Sequence, residues 1–246
     1  MMARVTVFHT SDLHNKLNHC LAERLRLIRS GSPGSIVLDS GDAISAGNVF
    51  WRFHEPILDL MNSVPYDAMC PGNREFHFLA RGLFAKTANA EFPIVSANLR
   101  PAKFGFELPV RSSVVIETPE ARVGVLGLSV PCITERMLVK RISDAYFDDP
   151  CDAAARFVPD LREKCDILIA LTHIGIKQDR ELAERVPGID VILGGHTHTV
   201  TNEPERVGET YILHHGAFAH HVGKVIIEKS GGRVTVTDEL IPLAKA

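Results

Sequence analysis

No apolar run in this chain reaches the ~18 residues that a membrane-crossing helix needs. The opening Met1-Met2-Ala3-Arg4 leads straight into an alternating strand pattern, without the apolar core and cleavage site of a signal peptide. Cysteine is sparse: Cys20, Cys70, Cys132, Cys151 and Cys165 are odd in number and have no CxxC spacing. That argues against a disulfide framework and for reduced thiols in a cytoplasmic protein. Cys70, three residues before Asn73, reads as a buried strand-end thiol. Charge of one sign is also lacking. With 27 basic and 30 acidic residues the net charge is −3, which gives no electrostatic case for broad nucleic-acid binding. The basic residues between Arg24 and Arg29 read as a solvated helix face. No repeat, low-complexity tract or linker divides residues 1–246, so a single domain is expected. No nucleic-acid or membrane partner is indicated.

What is present is an alternation of strand and helix patterns. A strand at Val5–His9 precedes helical spacing over Lys16–Ser30, a turn at Gly31–Ser35 and a buried strand at Ile36–Leu38. Helices are expected at Glu55–Asn62, Glu75–Ala90, from Pro150 to Lys164 and at Gln178–Val186. Strands are expected at Ala68–Cys70, Ile94–Ala97, Ser112–Glu117, Arg122–Leu128, Asp166–Leu171, Ile189–Leu193, Tyr211–His214, Gly223–Glu228 and Val234–Glu239. Residues 129–149 are the least regular. The pattern is α/β, two mixed sheets packed together with helices outside.

Five short blocks carry seven potential metal ligands, each where a strand should end: Asp12 and His14, Asp42, Asn73, His173, and His196 with His198. Carboxylate, imidazole and amide oxygen suit Mn²⁺, Fe, Zn²⁺ or Ni²⁺. The set is large enough for two divalent metal ions sharing a carboxylate. Asp-x-His and His-x-His in extended chain would point both side chains of each pair the same way. A lone histidine is usually structural, and His54, His77, His220 and His221 read so. Five blocks at five strand ends do not. His214-His215-Gly216 is intermediate, since it too ends a strand.

The order D-L-H, G-D, G-N-R-E, T-H, G-G-H-T-H resembles the calcineurin-like metallophosphoesterases. S-A-N-L at 96–99 and L-T-H-I-G…G-I-D-V-I-L-G-G-H-T-H-T are similar to the metal-binding domain of 5′-nucleotidases. The resemblance covers nearly the whole chain. It implies a four-layer α/β/β/α sandwich and an enzyme that hydrolyses phosphoesters. One metal would be held by Asp12, His14, Asp42 and His198, the other by Asp42, Asn73, His173 and His196, with Asp42 as the bridge. A water activated between the metals would attack phosphorus.

Two features depart from the family pattern. Where the family has G-N-H-E, whose histidine contacts phosphate and helps protonate the leaving group, this chain has Arg74. An arginine donates hydrogen bonds and charge but is a poor acid. Arg74 is then a bidentate clamp on the substrate phosphate beside Asn73, or it only shapes the site while His77, His214 or His215 supplies the proton, or the position has become structural. His215 is accordingly a candidate substrate contact. Second, the chain has no room for the C-terminal domain with which the nucleotidases grip the nucleoside base. Phe50 and Trp51 are either substitutes for it or packing residues. The expected activity is a 5′-nucleotidase-like phosphomonoesterase on a small phosphorylated metabolite, with Asp42, Asn73 and Arg74 as its catalytic residues. The alternatives are a phosphodiesterase on cyclic nucleotides or other small diesters, and a non-catalytic metal- or phosphate-binding protein.

Overall fold

The computed structural model describes residues 2–45, 47, 52–103 and 107–243. In chain order the elements are β1 (Ala3–Thr10), α1 (His19–Ser30), β2 (Ile36–Asp39), α2 (Pro56–Ser63), β3 (Ala68–Met69) and α3 (Ala80–Thr87). There follow β4 (Leu99–Pro101), β5 (Ser113–Glu117), β6 (Arg122–Ser129), a 3-10 turn at Leu138–Ile142, β7 (Ala145–Phe147) and α4 (Pro150–Arg162). The chain ends with β8 (Ile167–His173), α5 (Ile176–Arg185), β9 (Val191–Gly194), β10 (Glu205–Val207), β11 (Thr210–His214), β12 (His221–Ser230) and β13 (Arg233–Pro242). No helix among them is long and apolar enough to cross a membrane.

One sheet has the order β13-β12-β1-β2-β3 and the other β10-β11-β9-β8-β6-β5. Both are mixed. The strands β1, β2 and β3 are parallel, as are β6, β8, β9 and β11. Alternation along the strands builds the layers. Ile167, Ile169 and Leu171 of β8 meet Val5 and Val7 of β1 between the sheets. Leu168 and Ala170 face outward against α4 and α5, while Phe8 and Val37 face outward against α1 and α2. The result is the expected α/β/β/α sandwich.

Capping residues set two helix starts. The Asn18 side chain accepts from Leu21 N–H at 3.0 Å, so α1 begins later than its apolar spacing suggests. Asp149 accepts from Cys151 and Asp152 N–H ahead of Pro150, where α4 begins as expected.

Three expectations need correction. The helix placed over Glu75–Ala90 is only α3, because residues before Ala80 spend their backbone groups on side chains instead of on a helical ladder. His77 Nδ1 accepts from Leu79 N–H and Asp144 Oδ2 from Ala80 N–H. Ile94–Ala97 is not a ladder strand; Ile94 and Val95 make isolated bridges to Met69 and Arg111. The irregular stretch contains β7, which pairs with β4 over a small core of Phe76, Leu83, Leu99, Ile133, Ala145 and Phe147.

The parallel strands of both sheets end on one side, and the loops there interlock. The buried Glu75 carboxylate accepts from Asp42 N–H at 2.9 Å and Gly72 N–H at 2.8 Å through Oε2, and from Ile44 N–H at 3.1 Å through Oε1. Glycine lets these loops approach: a side chain on Gly72 would collide with Asp42, and one on Gly41 (φ +90°) with the carbonyl of Cys70. Hydrogen bonds to a charged group contribute more than neutral ones. Glu75→Gln, which can turn its NH₂ toward those N–H groups, is expected to destabilise the protein by ~2–4 kcal/mol in urea unfolding with chelator present. A midpoint equal to the parent's would show that the carboxylate does not hold these loops.

Candidate metal centre

The candidate ligands occupy the loops at this edge. Thr10, Asp39 and Met69 stand in register at the ends of β1, β2 and β3, and Asp12, Asp42 and Asn73 follow them. His173 is the last residue of β8, and His196 and His198 follow β9. This is the edge at which α/β sheets place ligands.

The local geometry is not the extended chain expected for Asp-x-His and His-x-His. Asp12, His14, Asp42, His196 and His198 all have positive φ, between 46° and 78°. Left-handed backbone is uncommon outside glycine and costs of order ~1–3 kcal/mol per residue when imposed. The side chains converge because tight turns aim them, and neighbouring loops hold those turns. Asp12 N–H donates to Gly41 O at 2.8 Å, His14 N–H to Asp42 O at 2.9 Å and Asn15 N–H to Ala43 O at 2.7 Å.

Two groups of potential ligand atoms form, Asp12 with His14 and His198, and Asp12 with Asp42 and His173, all within 4.8 Å inside each group. Asp12 Oδ1 is 3.4 Å from His198 Nε2 and 3.8 Å from His14 Nε2. His173 Nε2 is 3.6 Å from Asp42 Oδ1. The His196 ring packs edge-on to that of His173 at 5.0 Å, and the backbone N–H of His196 donates to Asp12 Oδ2 at 3.0 Å. Asp12 is therefore the residue common to both groups, at the position between them that the resemblance gives to Asp42.

The donor set fits a divalent cation. Asp12 Oδ1, Asn73 Oδ1 and His173 Nε2 are buried and make no hydrogen bond among the described residues. A buried acceptor left so costs ~1–3 kcal/mol, and each of the three offers a lone pair. The tautomer of His173 is fixed, because its Nδ1 is 2.6 Å from the carbonyl of Ser40, which can only accept. Burial shapes the protonation of the set. It raises Asp12 to about 7 and, with Glu75 adding repulsion, Asp42 to about 8. Burial also lowers His173 to about 3 and, with Arg74 adding to it, His14 to about 4, so these imidazoles stay neutral. His196 and His198 are lowered as well, burial again first.

Arg74 sits at the mouth, its side chain 38% exposed. Its N–H donates to Asp42 Oδ1 at 2.8 Å, its Nη1 donates to Ser45 O at 2.9 Å, and its Nε is 3.6 Å from Asp42 Oδ2. His215 is elsewhere: it is buried, with Nδ1 at His9 and Nε2 at Asp238. His214 is buried against Asp179 at 2.7 Å, and the ring of buried His77 stacks on Phe78. Cys70 is an interior thiol that burial pushes up to about 12. Phe50 and Trp51 lie outside the described residues.

Three contributors escaped the sequence reading. Glu75 stood inside a motif block and could have been suspected. Lys86 could not, since a lone lysine on a helix reads as solvated. It is buried, and its Nζ donates to the carbonyls of Gly47, Arg74 and Phe76 at 2.9, 2.6 and 3.0 Å. Phe218 is 38% exposed, with its ring 5.3 Å from that of His14 and 5.0 Å from that of His198.

Known proteins resemble this chain. The sequence model of a family described as calcineurin-like phosphoesterase matches residues 5–200. The trifunctional nucleotide phosphoesterase protein YfkN of Bacillus subtilis is 31% identical over 96% of this chain, which covers 19% of that protein. The 5′-nucleotidase of Rattus norvegicus is 30% identical over 79% of this chain, 38% of its own length. Among solved structures, a 5′-nucleotidase precursor from Thermus thermophilus superposes with a TM-score of 0.81 at 23% identity, over 97% of this chain and 54% of that one. The chain spans about a fifth to about a half of the curated relatives' length. The family match runs from β1 through the loop that carries His196 and His198, and so takes in every block of candidate ligands: the chain belongs to the calcineurin-like phosphoesterases.

Proposed function

We propose that the chain is a single metallophosphoesterase domain that hydrolyses small phosphomonoesters, nucleotides among them, with two divalent metal ions. The observation that carries this reading is that Asp12 and His173, each with a buried atom that has no hydrogen-bond partner among the described residues, belong to one group of candidate ligands, with the likewise unpartnered Asn73 Oδ1 on the adjoining loop, whose Arg74 N–H reaches Asp42. Asp12, His14, Asp42 and His198 are assigned to one ion, and Asp42, Asn73, His173 and His196 to the other, with Asp42 shared. In the two observed groups the common residue is Asp12, while Asp42 belongs to one of them. Relatives named nucleotide phosphoesterase and 5′-nucleotidase support the substrate class. The ions, when bound, supply Lewis-acid polarisation of the phosphoryl group and an acidified water.

The chain's own residues orient and select. Ser40 holds the His173 ring with Nε2 toward the site. Glu75 fixes the loop carrying Asp42, and Lys86 the turn carrying Asn73 and Arg74. Arg74 offers its guanidinium to an anionic phosphate at the mouth and supplies no proton at neutral pH. The site therefore favours leaving groups that depart as weak bases. The same feature favours a second reading, hydrolysis of small phosphodiesters, since a diester brings one less charge to the site.

Protein purified without chelator is expected to hold two equivalents of metal, and Asn73→Ala to retain less after dialysis, as read by elemental analysis. A single equivalent in the parent protein would sink the two-ion assignment. Reconstituted with Mn²⁺, the parent should release phosphate from mononucleotides or sugar phosphates. Cleavage of diesters alone would replace the first reading by the second. For Arg74→His, kcat/KM on phenyl phosphate should rise at least ~10-fold relative to nitrophenyl phosphate, because general acid catalysis is restored where the leaving group needs it. An unchanged ratio would mean that another residue already protonates the leaving group.

A further inference from the structure

Between the two sheets, one step behind the candidate ligands, runs a line of hydrogen bonds that needs more protons than its neutral residues carry. His215 Nε2 is 3.1 Å from Asp238 Oδ1, and His215 Nδ1 is 2.6 Å from His9 Nδ1. His9 Nε2 is 2.8 Å from Ser40 Oγ, which is 2.8 Å from the carbonyl of Leu193. His9 and Ser40 are fully buried and His215 is 2% exposed, so water does not complete the set. Each of these four contacts needs one hydrogen between its heavy atoms. A neutral imidazole carries one N–H and a serine one O–H, while a carbonyl and a carboxylate only accept. Two neutral rings and one serine supply three hydrogens for four contacts.

We infer that the His9–His215 pair holds one added proton, as an imidazolium with Asp238 as its counter-ion, and that the two histidines are positioning residues acting on His173 through Ser40. With the charge on His215, its Nε2–H donates to Asp238 and its Nδ1–H to His9 Nδ1. His9 Nε2–H then donates to Ser40 Oγ, and the serine hydroxyl donates to Leu193 O. Every atom has one role. The assignment of charge agrees with the surroundings: burial, then His215 and His214, hold His9 well below the usual imidazole range, whereas His215 has the carboxylate. His214 itself is hydrogen-bonded to Asp179. Gly223 of β12 leaves the room that the His215 ring occupies, since a side chain there would collide with it.

Loss of the proton leaves one contact with two acceptors facing each other. The serine hydroxyl is the group able to rotate; turning to His9, it abandons Leu193 and unties β2 from β9. The main-chain oxygen of the same Ser40 receives Nδ1–H of His173. This last link rests on the assignment of His173 to a metal, while the proton count does not.

Nitrogen-15 spectra of the histidine rings near pH 7, assigned with His9→Gln and His215→Gln, decide the count. One ring protonated on both nitrogens is the expected result; two neutral rings overturn the inference. Asp238→Asn removes the counter-charge, and its amide N–H can supply the fourth hydrogen to His215 Nε2. Both rings should then be neutral, and Asp238→Glu should restore the imidazolium. An imidazolium that persists in Asp238→Asn removes the counter-ion role. His9→Leu takes from Ser40 Oγ the N–H of His9 and should weaken Zn²⁺ binding by about tenfold, as loss of outer-shell support does elsewhere, while His9→Gln, whose amide N–H can reach Ser40, should restore it. Unchanged Zn²⁺ affinity in His9→Leu removes the positioning role. A parent protein that binds no Zn²⁺ would instead refute the metal assignment, leaving the spectra to judge the proton.

Discussion

Asp12 is bonded through every polar group but one. Its N–H is held by Gly41 O, its carbonyl by Phe218 N–H and its Oδ2 by His196 N–H. One residue therefore ties together the loops after β1, β2, β9 and β11, drawn from both sheets. Only Oδ1 remains, buried and without a hydrogen-bond partner among the described residues, facing the imidazoles of His14 and His198. The rest of the edge is arranged around that atom.

Such an arrangement is unfavourable on its own terms. Five candidate ligands sit in left-handed backbone, and several buried acceptors have no donor among the described residues. Strain of ~1–3 kcal/mol per residue persists only where the surroundings over-determine the conformation. Here they do so through Glu75, which gathers three backbone N–H groups, and through the close approaches that Gly41 and Gly72 allow. The apolar layer between the sheets supplies the stability against which these local costs are set. A cation at the site would recover part of them, because it satisfies lone pairs that hydrogen bonds do not.

The sequence exposed the candidate ligands because each follows or ends a short apolar strand, and strand ends are legible from composition. It misled on how they converge: Asp12 and His14 were expected to share a face of extended chain, but their left-handed turns carry no signal in residues that tolerate either conformation. The layered architecture was legible from the alternation in β1 and β8. The helix expected from Glu75 was not, because its apolar spacing continues through residues whose backbone groups are taken by the side chains of His77, Lys86, Ser143 and Asp144. Lys86 and Phe218 were invisible for a different reason, since a buried lysine and an aromatic in positive φ both contradict their usual settings. His215 was noticed for ending a strand, but its partners, His9 and Asp238, lie far away in the chain and could not be paired by pattern.

The donor types divide between the sheets. Asp12, Asp42 and Asn73 bring oxygen from the loops after β1, β2 and β3, whereas His173, His196 and His198 bring nitrogen from the ends of β8 and β9. His14 is the one imidazole on the first side. Under the proposed assignment each ion takes ligands from both sheets, so binding either ion cross-links the two halves of the sandwich. The chain has to bring both halves into register before the set exists, and binding free energy then adds to folding free energy. The buried Ser40–His173 and Ser40–Leu193 bonds cross the same seam without metal. They hold the two sets of donors in register beforehand, which reduces the ordering that an ion must impose.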